Sequence, residues 1–307
     1  MTTRHVPILV KPIVEGLLEP FRRLPENAEP HWLVDATLGG GGHCSQFLEA
    51  FASDPALAKH RVLALDQDPQ AIARGKVRFE KELSSGKLEI IQCRFGEASE
   101  WVQGRPVLGL LADLGFSSDQ MDDPGRGLSF QSDGPLDMRL NPTFGTSCRD
   151  LLETLSQDEL ENILLEFGEE RFSRRIAGAI ISARSENKLP ETPRELARIV
   201  VHAIPPSARH GRIHAATRTF QALRIAVNEE ISQLDRLLEH VIMRIKPGGR
   251  IAILSFHSIE DRRVKVRFRN SDLFEPLTKK PIQASDEEVR LNPRSRSAKL
   301  RIAEKTA

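Results

Sequence analysis

Tyrosine is absent from the 307 residues, tryptophan occurs twice and cysteine three times. Aromatic stacking therefore falls to the 14 phenylalanines, the two tryptophans, the histidines and the planes of arginine. Cys44, Cys93 and Cys148 lie far apart, are odd in number and form no CxxC, which argues against a disulfide framework or structural zinc and for a reducing compartment. They read as small core residues, and no metal is expected. Long apolar runs are also missing, since the longest, such as Val107 to Ala112, fall far short of a membrane span. Met1 to Val10 has neither the apolar core nor the cleavage site of a secretory leader. The expectation is a soluble, cytoplasmic protein with no membrane partner. Net charge is nearly absent too: 44 Lys+Arg stand against 43 Asp+Glu, for +1, which excludes a uniformly basic coat for nucleic acid. What is present is 39% hydrophobic residues, enough for a packed core and incompatible with disorder of the whole chain. The length exceeds the point where single cores stop growing, so one large domain with a smaller one is expected.

Four short apolar runs, Leu33 to Thr37, Val62 to Asp66, Leu88 to Cys93 and Leu108 to Asp113, read as strands. Helical patterns such as Ser45 to Ala52 and Pro69 to Leu83 separate the first three. Continuous apolar strands alternating with helices predict an α/β fold with a parallel sheet covered on both faces. The alternation stops at Gly115. Gly115 to Phe144 is dense in Gly, Pro, Ser and Asp without steady periodicity, which reads as a functional lid or binding loop. Helical spacing then runs through Asp150 to Phe167, Glu170 to Ser185 and Thr192 to His202, followed by a long helix from about Arg218 to Ile245. Strand character returns at Arg250 to Phe256, after the turn Lys246-Pro-Gly-Gly249, and Lys299 to Ala303 alternates as a closing edge strand. The expected organisation is a discontinuous domain of residues 1–140 and 214–307, carrying a helical insertion at 141–213.

Ligands of open α/β sheets bind at the carboxyl ends of the strands, and the unusual residues sit there. Asp35 ends the first run and is followed by Gly39-Gly-Gly-Gly42 and His43, where the backbone can lie against a ligand at a helix N-terminus. Asp66 ends the second run, in the position of an acid that accepts ribose hydroxyls. The dinucleotide fingerprint fails in both frames, since Cys44 and Ser45 stand where its last glycine belongs, and no phosphate-loop lysine motif occurs. An acid, a glycine turn and a second acid suit S-adenosylmethionine in a class I methyltransferase.

The motifs Asp35-Ala-Thr-Leu-Gly-Gly-Gly-Gly-His43, Asp66-Gln-Asp-Pro69, Asp113-Leu-Gly-Phe-Ser-Ser118, Asp133-Gly-Pro-Leu-Asp-Met-Arg139, Ala216-Thr-Arg-Thr-Phe-Gln-Ala222, Ser255-Phe-His-Ser-Ile-Glu-Asp261 and Asn292-Pro-Arg-Ser-Arg-Ser297 occur in order along nearly the whole chain. This set resembles the bacterial 16S rRNA (cytosine-N4)-methyltransferase family, also called MraW or RsmH. The resemblance implies a Rossmann-like class I fold with an inserted helical domain, S-adenosyl-L-methionine as cofactor, and methylation of a cytidine amine in the decoding region of 16S rRNA. It also implies cofactor contacts at Gly41, Gly42, His43, Asp66, Phe95, Asp113 and Gln120, and an RNA-recognising role for the helical insertion. Gln67, Phe116, Asp119 and Ala215 depart from the family's usual residues.

The amine of cytosine is a weak nucleophile because its lone pair is delocalised into the ring. It must be oriented for in-line attack and relieved of a proton. Asp113 is the leading candidate, and His257 could relay a proton or hold a phosphate. Basic residues are unevenly spread: Ile204 to Arg224 carries +4 and Lys246 to Ala307 carries +7, leaving −10 on the remainder. A polyanion needs only local positive charge, so contact with the 16S rRNA of the small ribosomal subunit or its precursor is expected from Arg139, Arg209, Arg212, Arg218, Arg294 and Arg296. The target base must be unstacked, with Phe116, Phe130 and Phe144 placed to stack on it. The alternatives are a methyltransferase for another nucleic acid or a protein, a non-catalytic S-adenosylmethionine-binding module, and a nicotinamide dehydrogenase weakened by the failed fingerprint.

Overall fold

In a computed structural model of the chain, residues 7–209 and 213–306 are described. The chain divides into two compact units, Met1–Gly115 with Ile231–Ala307, and Phe116–Glu230.

Among its described residues the first unit is built on seven strands: β1 (Trp32–Asp35), β2 (Arg61–Asp66), β3 (Leu88–Gln92), β4 (Val107–Asp113), β5 (Ile245–Ser255), β6 (Phe274–Pro276) and β7 (Lys299–Lys305). Their order is β3-β2-β1-β4-β5-β7-β6, with β1 to β5 parallel and β7 antiparallel between β5 and β6. This mostly parallel sheet is the class I methyltransferase architecture expected from the sequence. The strands read as unbroken apolar runs because both faces are covered, and alternate residues enter different cores. Leu33, Val62, Ala64 and Leu111 join one cluster with α1 (Val10–Arg22) and α2 (Gly42–Ser53). Val34, Leu63, Leu65, Leu110 and Ala112 join the other, against Leu234 to Ile242 and the helix Ser258–Arg269. Three residues of β6 were too few to read from sequence.

The second unit gathers its own core from Leu128, Leu136, Met138 and Leu140 together with Cys148, Leu160, Ile176, Leu196, Phe220 and Leu223. It is wider than the expected insertion at 141–213, because that core takes in the segment before it and the helix Thr217–Asn228 after it. Leu128, Leu136, Met138 and Leu140 of the Gly115 to Phe144 segment are thus core residues of this unit. Asn228 fastens that segment: its Oδ1 accepts from Leu140 N–H at 2.7 Å and its Nδ2 donates to the Met138 carbonyl at 2.8 Å. The expected helix from Asp150 to Phe167 is two helices, Cys148–Thr154 and Gln157–Gly168, because Ser156 and Glu159 form a capping box that starts a second one. The long helix expected up to Ile245 is also broken. It stops at Asn228, Glu229 turns left-handed (φ 52°), and Glu230–Arg236, a π turn and a short 3-10 turn follow. Arg224 closes this unit on itself: its guanidinium binds Glu230 at 2.7 and 2.9 Å and lies 4.8 Å from the centre of the Phe116 ring, so it links the unit's first and last residues.

Candidate active site

The chain leaves β1 at Asp35 and turns through the glycines into α2. Gly41 is the N-cap of α2 with φ 75°, a conformation that a residue with a Cβ adopts only under strain. A Cβ there would also lie 2.7 Å from the Phe79 ring, and one on Gly42 would lie 2.9 Å from the Pro7 ring. Glycine is therefore required by space on both sides as well as by conformation. The turn is held by Gly41 N–H to the Leu38 carbonyl at 2.7 Å and by Arg78, whose guanidinium donates to the Gly40 carbonyl at 2.6 Å.

Three carboxyls stand at neighbouring strand ends. β1 lies between β2 and β4, the point where the strand order changes direction. By alternation Asp35, Asp66 and Asp113 share the sheet face of Leu33, Ala64 and Leu111, the face covered by α2. Asp66 accepts from Gly39 N–H at 2.7 Å and Asp68 N–H at 2.8 Å, which ties the glycine turn to β2. Asp113 and Asp66 reach two residues past Asp35 in register, level with Thr37, whose hydroxyl accepts from Asp113 N–H at 2.7 Å. Burial is the main reason each acid holds its proton unusually well: Asp35 is pushed up to about 7, Asp66 to about 6 and Asp113 to about 8. Like charge adds to the burial, from Asp66 onto Asp35 and from Asp35 and Glu260 onto Asp113. His43, buried in the first turn of α2, places Nδ1 3.6 Å from Asp113 Oδ2 and Nε2 2.9 Å from the Ile8 carbonyl.

The other sequence candidates fall in varied surroundings. Phe95 opens a 3-10 turn after β3 and packs, partly buried, against the core on the other sheet face. Beside it Gly96 lies against Gln233, a buried residue whose amide makes no hydrogen bond among the described residues. His257 caps the helix Ser258–Arg269: its Nδ1 accepts from Glu260 N–H at 3.4 Å, and its Nε2 lies 3.1 Å from Glu260 Oε1. That is a structural task beside any chemical one. Gln120 belongs to the second unit, where it forms a capping box with Ser117. Sequence reasoning missed Thr37, the Ile8 carbonyl, Glu260 and Gln233. Only Glu260 carried a signal, three residues after a capping position.

Residues 2–306 match the model of the MraW methylase family. The chain belongs to the MraW methylase family. It is 45% identical over 303 residues to the "Ribosomal RNA small subunit methyltransferase H" of Prochlorococcus marinus (strain NATL2A), covering 98% of this chain and 94% of that protein. It is 46% identical over 300 residues to the protein of that name from Synechococcus sp. (strain CC9311), covering 97% and 92%. To that of Sorangium cellulosum (strain So ce56) it is 47% identical over 273 residues, covering 88% and 83%. Among the described residues no helix is long and apolar enough to cross a membrane.

The arginines expected to meet RNA in this methylase divide between the units. In the second unit Arg139 is engaged by Asp137 at 2.7 and 2.8 Å and by the Gly145 carbonyl, Arg209 donates to the Ile204 and His202 carbonyls, and Arg218 is exposed with one bond to the Glu169 carbonyl. In the first unit Arg294 and Arg296 lie exposed on the turn Pro293–Ser297. Arg212 lies outside the described residues. The three cysteines are free. Burial pushes the Cys93 thiol up to about 12 and the Cys44 and Cys148 thiols well above their usual range, so the core reading of all three stands.

Proposed function

We propose that this chain transfers the methyl group of S-adenosylmethionine to the exocyclic N4 of a cytidine in the decoding region of 16S rRNA, presented in the cytoplasm by the small ribosomal subunit or its precursor. The observation that carries this reading is the row of three carboxyls, Asp35 buried and Asp66 and Asp113 partly buried, at the ends of β1, β2 and β4 beside the glycine turn, in a member of the MraW methylase family.

The residues fit the cofactor. Acids kept from ionising mainly by burial, with like charge adding to it, favour a ligand that brings positive charge, and S-adenosylmethionine carries a sulfonium and an ammonium. A dinucleotide would bring phosphates into the same field. Gly41, Gly42 and His43 would line the cofactor along the turn, Asp66 would take its ribose, Phe95 its adenine, and Asp113 its methionine end. When bound, the cofactor supplies an electrophilic methyl group, whose bond to sulfur breaks with the electron pair left on sulfur.

The chain's own residues must then orient the cytosine amine and take the proton it sheds as N4 gains the methyl group. Asp113 is the acceptor, an acid of raised proton affinity at the end of a central strand. His257 caps the helix that carries Glu260, and Glu260 in turn bears on the charge of Asp113. The helical unit and the exposed arginines receive the RNA, for which single-stranded presentation of the base is needed.

The test is incubation of the full chain with isolated small subunits, mature and precursor, and methyl-labelled cofactor, followed by nucleoside mass spectrometry. Label in N4-methylcytidine of 16S rRNA is the expected result. Label in another nucleoside or in protein, or cofactor binding without turnover, overturns the reading.

A further inference from the structure

The surroundings of His43 fix where its hydrogens sit. A carbonyl oxygen only accepts, so the ring nitrogen 2.9 Å from the Ile8 carbonyl, Nε2, must carry a hydrogen. In the neutral ring Nδ1 is then an acceptor, and it faces Asp113 Oδ2 at 3.6 Å. A lone pair opposite an ionised carboxylate is repulsive, and one proton placed between the two groups turns the contact into an attraction. Both side chains are largely buried, so water does little to relieve the conflict.

We propose that His43 and Asp113 share one proton across this gap, and that His43 is thereby the positioning residue that sets when Asp113 can accept the proton of the cytosine amine. The assignment rests on the proposed methyl transfer and names a role for His43 distinct from cofactor contact. Among the described residues, Asp35 from β1 and Glu260 from the helix Ser258–Arg269 bear on the charge of Asp113, His43 from α2 stands 3.6 Å from its carboxyl, and the Thr37 hydroxyl takes its backbone N–H. Two of these are acids, which hold the shared proton in place, and His43 is the one base among them. At 3.6 Å the contact is longer than a hydrogen bond, as pairs of this kind often are before substrate closes the site. The proton balance is simple. The shared proton leaves to solvent before turnover, Asp113 receives the amine proton as N4 is methylated, and His43 Nδ1 takes it on.

Two measurements decide this. In the full-length apoprotein, nitrogen NMR of labelled histidines should show His43 Nε2 protonated throughout, and Nδ1 titrating in wild type with a midpoint moved by about one pH unit or more in Asp113→Asn. Identical titrations in the two proteins, or a fixed hydrogen on Nδ1, overturn the proposal without reference to any RNA. In the methyl-transfer assay, His43→Gln keeps a donor for the Ile8 carbonyl and removes the second nitrogen. Its kcat should fall about tenfold at low pH and converge on wild type at high pH, with the acid limb moved up by about one pH unit. A loss of kcat equal at every pH reports mere structural damage and overturns it. If the NMR result holds and small subunits are not methylated, the proton pair survives and the assigned substrate falls.

Discussion

Replacing Asp113 with Asn should stabilise the ligand-free protein at alkaline pH while removing its activity. The sign follows from linkage. Burial holds the folded-state carboxyl at about 8, far above 3.8 for an unperturbed Asp, so the folded chain keeps a proton that the unfolded chain releases. The stability tied to that proton is complete below about 4 and is lost as pH rises toward about 8. At roughly 1.4 kcal/mol per pH unit the full shift would correspond to about 6 kcal/mol. Local relaxation and water entry around an ionised Asp113, whose side chain is 13% exposed, discount that figure, so about 2 kcal/mol is assigned to this substitution. For a folding unit of this size that amounts to about 4–8 °C in Tm. Calorimetry of the apoprotein from pH 4 to pH 9 should show the two proteins melting together at the acid end and the Asp113→Asn variant melting higher at the alkaline end. A variant less stable than wild type at pH 8, or a difference independent of pH, would refute the buried-charge argument.

Other outcomes follow from single contacts. Arg224→Met leaves the carboxylate of Glu230 buried without its bidentate partner and should lower stability of the full chain by about 3–5 kcal/mol in urea unfolding, most of it recovered in the double variant with Glu230→Met. Gly42→Ala puts a methyl group 2.9 Å from the Pro7 ring and should displace the segment whose Ile8 carbonyl holds His43, lowering cofactor affinity about tenfold or more by titration calorimetry. Removal of an arginine that contacts phosphate should reduce the slope of log affinity against log salt by about 1, which is expected for exposed Arg218→Ala and not for Arg139→Ala, whose guanidinium is engaged by Asp137.

The strands of the sheet were legible because strands buried on both faces need apolar residues at every position, and the acids that end them stand out against those runs. Asp35, Asp66 and Asp113 could be seen as strand-end residues. Their shared face, and hence their effect on one another, required the register of β1 between β2 and β4. The second unit was drawn too narrowly for a different reason. Leu128, Leu136, Met138 and Leu140 are core residues set among glycines, prolines and aspartates, where no helical or strand period reveals them. The break after Asn228 was invisible because Glu229 is an ordinary helix residue forced left-handed at the junction. The contact of His43 with Ile8 spans 35 positions and leaves no local trace.

The charge of the site also makes a prediction about substrate against product. Methyl transfer converts a sulfonium into a neutral thioether, so in the proposed site S-adenosylhomocysteine would bring one positive charge fewer to Asp35, Asp66 and Asp113. Binding the cation favours the ionised acids, and where these still hold protons binding must release them. Cofactor affinity should therefore rise as pH passes through about 6, 7 and 8, the range in which the three acids ionise in the ligand-free site. The product, offering less charge, gains less over the same range. For each proton linked to one ligand and not the other, the affinity ratio changes by up to about tenfold per pH unit. His43 works against the effect only while it holds the shared proton, and Glu260 strengthens it by adding a fourth acid. Titration calorimetry of both ligands at pH 6 and pH 8, in buffers of differing ionisation enthalpy, reads affinity and proton release together. Equal pH dependence for the two would mean that the carboxyls do not sense the sulfonium, and the row of acids would have to be reassigned to the ribose and the amine alone.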